Sequence, residues 1–205
     1  IERPETDVQL VLAPDREHVY PATSLAYYLG AEVVPGTDSR LVAGDFEYGL
    51  EGSDEYETTV SQVLRQVVFL DCLTRTEGYY EMDLHERQQV EPLVDMDFAA
   101  LYDRPIAAQL REYLSVPYEA LAPHVPEWPL TTDVVPTADN VDVLPFVARD
   151  LALVRCPDER ETPAPVSPPS ELTDFYRGSG DDGPPTENVV TTDPVETTGH
   201  AWVGD

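Results

Sequence analysis

Acidic residues far outnumber basic residues in this chain, and the resulting charge limits the conditions under which it can fold. Its 205 residues include 40 Asp and Glu and only 12 basic residues, all of them Arg, which gives a formal net charge of -28. Self-repulsion of this size opposes compaction in dilute buffer. At about 1 M salt the Debye length is roughly 3 Å, so the repulsion is screened and the carboxylates bind water and counterions. We therefore expect a salt-adapted protein with salt cations at its surface.

The composition also limits the class of protein. An intrinsically disordered acidic chain does not fit, because 41% of the residues are hydrophobic and many of them lie in periodic runs. Nucleic acid and an anionic membrane surface are excluded as partners, since both are bound through basic clusters that this chain lacks. The sequence has no apolar run of about 18 residues and no signal-type segment, so the cytoplasm is the expected location.

Residues that commonly carry chemistry are sparse. The two cysteines, Cys72 and Cys156, are too few for a disulfide framework, and both are expected to be buried free thiols. No Gly-rich phosphate loop occurs, and neither HExxH spacing nor a Cys/His cluster is present. The sequence therefore predicts no cofactor, no metal site and no catalytic residue.

The chain divides near Cys156. Residues 157–205 hold 8 of the 20 prolines and 11 acidic residues, with scattered apolar residues and no sustained period. Such a stretch cannot bury enough surface to offset its conformational entropy, so we expect an acidic linker or tail, rich in Pro and Gly, that is dispensable for folding. Two short apolar groups, at 172–176 and 200–203, are exceptions within it. Residues 1–156 are expected to form one folded domain.

The predicted domain begins with an alternation of strand and helix. An apolar run at 8–13 is typical of a buried strand, and helix formers at 22–29 lead to Gly30, a residue favoured just after a helix. A second strand at 31–34 then predicts a crossover and a parallel pair. Further strands are expected within 41–50, 128–135 and 152–154.

The central third of the chain has helical periodicity. Apolar residues at helical spacing predict a long helix over 54–77. Asp83 followed by Glu86 matches an N-terminal capping pattern for the next helix. Further helices are expected at 97–114, interrupted at Pro105, and at 141–151. The predicted fold class is α/β or α+β, mainly helical, with a small, partly parallel sheet of four or five strands.

One polar group, Asp15-Arg16-Glu17-His18, follows the first predicted strand. In open α/β sheets ligands bind in the crevice beyond the carboxyl ends of the strands, so Arg16 and His18 are candidates to bind an anion there. A solvated loop with a local ion pair is the alternative interpretation.

The densest polar stretch lies between residues 71 and 87. Asp71 and Arg75 are four residues apart and can pair on one face of a helix. We expect a linked polar layer around the turn at Gly78, acting as structural ion pairing or as a ligand or partner surface. Its predicted members are Asp71, Arg75, Glu77, His85, Glu86 and Arg87. A Cys72–His85 dyad is the catalytic alternative, which a buried and therefore inert thiol disfavours.

The stretches 20–31, 69–78 and 83–87 resemble a haloarchaeal protein group in which a region of this kind precedes a CHAT domain, a caspase-like peptidase module. The resemblance covers roughly residues 7–156. It implies that the peptidase His and Cys lie beyond this chain, so no catalytic residue is carried over. It also implies that this chain is the accessory part, with a regulatory or recognition role.

The expected function is therefore that of a non-catalytic accessory or interaction domain. Its expected partner is another protein or a following domain of the same polypeptide, and regulation of a following peptidase-like module is its implied role. The alternative is a small-molecule-binding protein or an α/β enzyme that uses the crevice after the first strand. The two functions differ in whether the polar groups converge in a single pocket.

Overall fold

The computed structural model describes residues 4–51, 55–78, 84–157 and 197–203. Within these residues the fold is α+β, with helices and two small sheets. The strands are β1 (Val8–Leu12), β2 (Glu32–Pro35), β3 (Arg40–Ala43), β4 (Phe46–Gly49), β5 (Thr131–Val134), β6 (Leu153–Arg155) and β7 (His200–Val203). The helices are α1 (Arg16–Val19), α2 (Thr23–Leu29), α3 (Tyr56–Thr74), α4 (His85–Val90), α5 (Phe98–Tyr102), α6 (Ile106–Tyr113), α7 (Tyr118–Leu121) and α8 (Leu144–Arg149). A short 3-10 turn at Arg75–Glu77 follows α3, and another at Asp139–Val143 precedes α8.

The first sheet has the strand order β2-β1-β3-β4. The chain leaves β1, passes through α2 and returns in β2, which is parallel to β1, while β3 and β4 form an antiparallel hairpin beside β1. α2 ends at Gly30, whose φ of 59° is a left-handed conformation that residues with a Cβ rarely adopt. The predicted strand-helix-strand unit with its parallel pair is confirmed, and so are strands within 41–50, which form this hairpin.

α3 is the central element of the fold. It has 19 residues, and its apolar stripe packs into the larger core together with the first sheet, α5, α6 and α7. The buried Gln66 is satisfied inside this core, because its amide donates to the carbonyl oxygens of Tyr113 and Val116, each at 2.7 Å. Among the helices of the described residues, none is long and apolar enough to cross a lipid bilayer.

The predicted helix over 97–114 is divided into α5 and α6, as its proline indicates. Asp97 begins α5 by accepting a hydrogen bond from the N–H of Ala100 at 2.9 Å. Pro105 precedes α6, because its fixed φ and missing N–H suit the start of a helix. The Gln109 amide then donates to the Leu101 carbonyl at 2.9 Å, which joins the two helices.

The second sheet has the strand order β6-β5-β7, and its three strands are parallel. α8 connects β5 to β6 on one side of β5, while β7 pairs with the other side. Side chains alternate along a strand, so the two faces of this sheet differ. One face packs into a smaller core that contains Tyr20, Val134, Leu144, Val147, Ala152 and Val154. Asp133 and Arg155 lie on the other face, where Leu153 packs against the larger core.

Parts of the architecture differ from the prediction. The seven described strands form two sheets rather than one sheet of four or five, because a strand's own pattern does not show which strands it pairs with. The stretch 157–205, predicted as a tail, includes β7, a strand too short to reveal a period. The stretch 15–18, interpreted as a loop, contains most of α1, and four residues are too few to show a helical period. Asp83 and the apolar group at 172–176 lie outside the described residues.

Candidate functional site

The predicted anion site after β1 is a small hydrogen-bonded turn. Asp15 caps α1 by accepting from the N–H of His18 at 2.9 Å, and the same Oδ1 lies 2.6 Å from His18 Nδ1. Desolvation of Asp15 opposes ionisation, but the hydrogen bonds from His18 outweigh it and lower the pKa of Asp15. The Tyr56 hydroxyl donates to the His18 carbonyl at 2.7 Å, and the two rings lie 4.8 Å apart. Arg16 is exposed beside this turn.

The Asp71–Arg75 pair forms as the four-residue spacing predicts. Arg75 Nε donates to Asp71 Oδ2 at 2.7 Å, and the Tyr28 hydroxyl donates to the same oxygen at 2.5 Å. Asp71 is 2% exposed, whereas the Arg75 side chain is 70% exposed. Desolvation and the Asp71 carboxylate together raise the pKa of Tyr28. The buried carboxylate is thus satisfied from within the chain.

A second ion pair joins the 3-10 turn after α3 to α4. Arg87 pairs with Glu77, and its Nη1 donates to the Thr76 hydroxyl at 2.5 Å. The Arg87 guanidinium also lies 5.1 Å from the centre of the Phe98 ring, a cation–π contact. Glu77 lies two residues beyond Arg75, and no hydrogen bond or ion pair among the described residues joins this pair to Asp71–Arg75.

The other predicted members of the layer lie apart from these pairs. His85 is exposed, and its ring nitrogen contacts the Gln89 amide at 2.9 Å. Gln89 in turn lies 3.3 Å from the His124 ring. Glu86 is partly exposed at the start of α4. The described residues of 71–87 therefore include the ion pairs Asp71–Arg75 and Glu77–Arg87 and a separate exposed surface at His85.

The two predicted polar groups do not converge. The Asp15–His18 turn contacts Tyr56 in the first turn of α3, whereas Asp71 and Arg75 lie at the far end of the same helix. Fifteen residues of α-helix separate Tyr56 from Asp71, which corresponds to about 22 Å. A small ligand cannot contact both groups at once.

A third polar group, which the sequence analysis missed, lies on the second sheet. We call Glu57, Asp133, Arg155 and His200 the Asp133 cluster. Asp133 is 2% exposed, and Arg155 binds it through two hydrogen bonds, Nε to Oδ1 at 2.6 Å and Nη2 to Oδ2 at 2.8 Å. His200 Nε2 lies 2.7 Å from Asp133 Oδ2. The cluster thus joins β5, β6 and β7 through one buried carboxylate.

Strand register brings the Asp133 cluster together. Asp133 is paired with Arg155 across the parallel β5–β6 ladder, and His200 is paired with Thr131, which lies on the same face of β5 as Asp133. An aspartate within the otherwise uncharged strand 131–134 was the available signal, because a buried carboxylate needs a cationic partner. The partner itself could not be identified, since it depends on which strands pair.

Glu57 completes the cluster from the first turn of α3. One carboxylate oxygen accepts the backbone N–H of Cys156 at 2.8 Å. Desolvation raises the pKa of Glu57 to about 7, and the nearby Asp133 carboxylate acts in the same direction against the opposing effect of Arg155. With this pKa the Glu57 carboxyl changes its ionisation state near neutral pH. It lies against Cys156, directly after β6.

The two cysteines differ from the prediction that both are buried. Cys72 is exposed and Cys156 is partly exposed. Cys72 lies at the margin of the apolar stripe of α3, and Asp71 occupies the buried position because Tyr28 and Arg75 satisfy it. Desolvation, together with neighbouring carboxylates, raises the pKa of both thiols. Both are therefore held in the protonated, weakly nucleophilic form.

Two further features concern ligands. In the described part of the chain, no three His, Cys, Asp or Glu side chains are grouped in a way that could hold a metal ion. A surface depression of about 420 Å³ lies beside the amino end of β1, and none of the predicted site residues lines it. Its lining residues are Glu5, Thr6, Asp7, Val8, Gln9, Glu32, Val42 and Gly44.

Comparison with known proteins gives no relative for this chain. No family model, curated protein or solved structure matches it.

Proposed function

We propose that this chain is a non-catalytic interaction domain of a salt-adapted protein, which binds a protein partner or a following domain and regulates a peptidase-like module. One observation carries the proposal: among the described residues of 71–87, the ion pairs Asp71–Arg75 and Glu77–Arg87 are internal. Asp71 lies about 22 Å along α3 from Tyr56, which contacts the Asp15–His18 turn. Groups used for chemistry converge on one reacting atom. These groups instead stabilise the body of the domain.

The partner surface in this proposal is the exposed side of the α3–α4 region. Arg75 pairs with buried Asp71 through its Nε while most of its side chain remains exposed, and Cys72 and His85 are exposed in the same stretch. A guanidinium held in one orientation by an internal carboxylate can bind a partner's carboxylate with little loss of side-chain entropy. The partner is therefore expected to present acidic or polar side chains here.

The test is calorimetric titration of the chain with a CHAT-type caspase-like peptidase module, supplied as a separate polypeptide in about 2 M KCl to screen the repulsion between acidic surfaces. We expect binding and a changed rate of peptide cleavage by the module. Arg75→Glu should weaken binding, whereas Arg149→Glu, at another exposed arginine, should not. Absence of binding would overturn the proposal, as would peptide hydrolysis by the chain alone that Cys72→Ser abolishes.

One observation favours a second candidate, an anion-binding site at the carboxyl end of β1. Arg16 is exposed beside the Asp15–His18 turn, so its guanidinium can contact an anion there. Titration with inorganic phosphate, followed by NMR of the histidine rings, tests this function. Binding at this site would shift the His18 resonances and leave those of His85 unchanged.

A further inference from the structure

Three side chains connect α4 to the turn that follows α7. Gln89 Nε2 lies 2.9 Å from His85 Nε2, and Gln89 Oε1 lies 3.3 Å from His124 Nδ1. We call His85, Gln89 and His124 the Gln89 clasp. We propose that the clasp is a pH-sensitive switch, in which the Gln89 amide couples the protonation of the two imidazoles and one of its two hydrogen bonds breaks when both are charged. The clasp lies within this chain and does not depend on the proposed partner.

The backbone on both sides of the Gln89 clasp is fixed by the larger core. His85 and Gln89 are four residues apart on α4, so their side chains share one face of the helix. The next residue, Val90, is fully buried in the core. On the other side the His124 N–H donates to the carbonyl of buried Leu121 at 2.8 Å. The two imidazoles are therefore held on separate elements, with the Gln89 amide between them.

The Gln89 amide has a donor side and an acceptor side. Its NH2 group faces His85 Nε2, which therefore accepts and carries no proton. Its oxygen faces His124 Nδ1, which therefore donates. If the amide turns over, the two imidazoles exchange these roles. In either orientation, one imidazole must offer a nitrogen without a proton.

Protonation acts differently on the two imidazoles. A charged imidazole carries a proton on both nitrogens. His124 can become charged and keep its bond, because its Nδ1 already donates. Charging His85 places an N–H against the NH2 group of Gln89, so the amide must turn over, and that requires a neutral His124. Both bonds are compatible with one charged imidazole but not with two.

Other charged residues lie along the same part of the chain. On and around α4 and α7 they are Glu77, Glu86, Arg87, Glu91, Asp95, Asp97, Glu119 and Glu127. Arg87 pairs with Glu77 and lies 3.6 Å from Glu91. Among the described residues, no ion pair joins any of these groups to His85 or His124. The Gln89 amide is therefore the group through which the two imidazoles are connected.

The switch operates in the range in which histidine side chains ordinarily change their charge, between about pH 5 and 8. A neutral or singly charged clasp keeps both bonds, so α4 is joined to the turn after α7 at the upper end of this range. At the lower end, charging the second imidazole breaks one bond and loosens this connection.

The first test follows the Gln89 side-chain amide by NMR as the full chain is titrated from about pH 8 to about pH 5 in about 2 M KCl. We expect the Gln89 NH2 resonances to shift with pH in the wild-type chain. Those of Gln62, which is partly exposed on α3, are the internal control and should stay fixed. Gln89 resonances that do not shift with pH would overturn the proposal.

Single substitutions distinguish a coupled switch from two independent histidines. In His85→Ala the amide keeps its bond to His124 in both charge states, so the Gln89 resonances should shift much less than in the wild-type chain. In His124→Ala the amide can turn over freely as His85 becomes charged. The shift should therefore remain, and the His85 ring should take up its proton at a higher pH than in the wild-type chain. Identical His85 titration curves in the two chains would overturn the coupling.

Discussion

Asp71 and Asp133 are both buried carboxylates, and their arginine partners are exposed to different extents. The side chain of Arg75 is 70% exposed and that of Arg155 is 28% exposed. Asp71 also accepts from Tyr28, while Asp133 is contacted by His200. The energetic cost of losing the arginine should therefore differ between the two sites.

We predict that Arg155→Ala lowers the free energy of unfolding by about 3 kcal/mol, because it leaves a buried carboxylate without its bidentate partner. Arg75→Ala should lower it by about 1 kcal/mol, since its exposed guanidinium gains less from the pair. Arg149→Ala, in an exposed pair with Asp150, should change it by less than about 0.5 kcal/mol. Urea unfolding in about 2 M KCl measures all three. An effect of Arg75→Ala as large as that of Arg155→Ala would contradict this ranking.

Glu57 gives the fold a pH dependence of defined sign. Its pKa is raised to about 7 in the folded chain from an ordinary value of 4.5, so between these values the folded state holds a proton that the unfolded state has lost. Stability should therefore fall as pH rises from about 5 to 7, by at most about 3 kcal/mol. Glu57→Gln keeps an oxygen acceptor for Cys156 and should remove this fall. Thermal unfolding of both chains at several pH values is the measurement, and identical pH profiles would refute the assignment.

The sequence allowed local pairs to be predicted but not distant ones. Asp71 and Arg75 are four residues apart on one helix, so helical geometry alone brings them together. Asp133 and Arg155 are separated by 22 residues and Asp133 and His200 by 67, so their contacts depend on strand order and register. A single sequence does not define either quantity, and the Asp133 cluster was missed for this reason.

At the level of elements, prediction succeeded where an apolar period extends over several helical turns or where a Gly or Pro marks the end of a helix. α3 follows its apolar stripe, α2 ends at Gly30, and α5 and α6 separate at Pro105. α1 and α7 have four residues each, which is about one helical turn and too short for a helical period. β7 has four residues and follows a proline-rich stretch, so its pairing with β5 could be seen only in three dimensions.

β7 should contribute to the stability of the body, which alters the expectation for the predicted tail. It supplies Val203 to the smaller core and His200 to the Asp133 cluster. A chain truncated after residue 196 should therefore melt at a lower temperature than the chain of 205 residues. Circular dichroism melting in about 2 M KCl checks this. Equal melting temperatures would show that the strand is dispensable, as the composition of 157–205 alone indicated.

At the level of the whole molecule, charge is the dominant property. Residues 1–156 contain 29 acidic residues and 10 arginines, so this part of the chain carries a net charge of -19 by itself. Arginines of the described residues form ion pairs with Asp71, Glu77, Asp133 and Asp45. The acidic residues of 1–156 far exceed the available arginines. Dissolved cations must then screen the surface, which connects stability to ionic strength.

The claim on which the proposed function depends is that this acidic surface is a salt adaptation. The most direct test is thermal unfolding of the chain, followed by circular dichroism, as KCl is raised from about 0.1 M to about 2 M. We predict that the melting temperature rises steeply with salt and that cooperative unfolding is lost at the low end. A melting temperature that stays constant over this range would contradict the account.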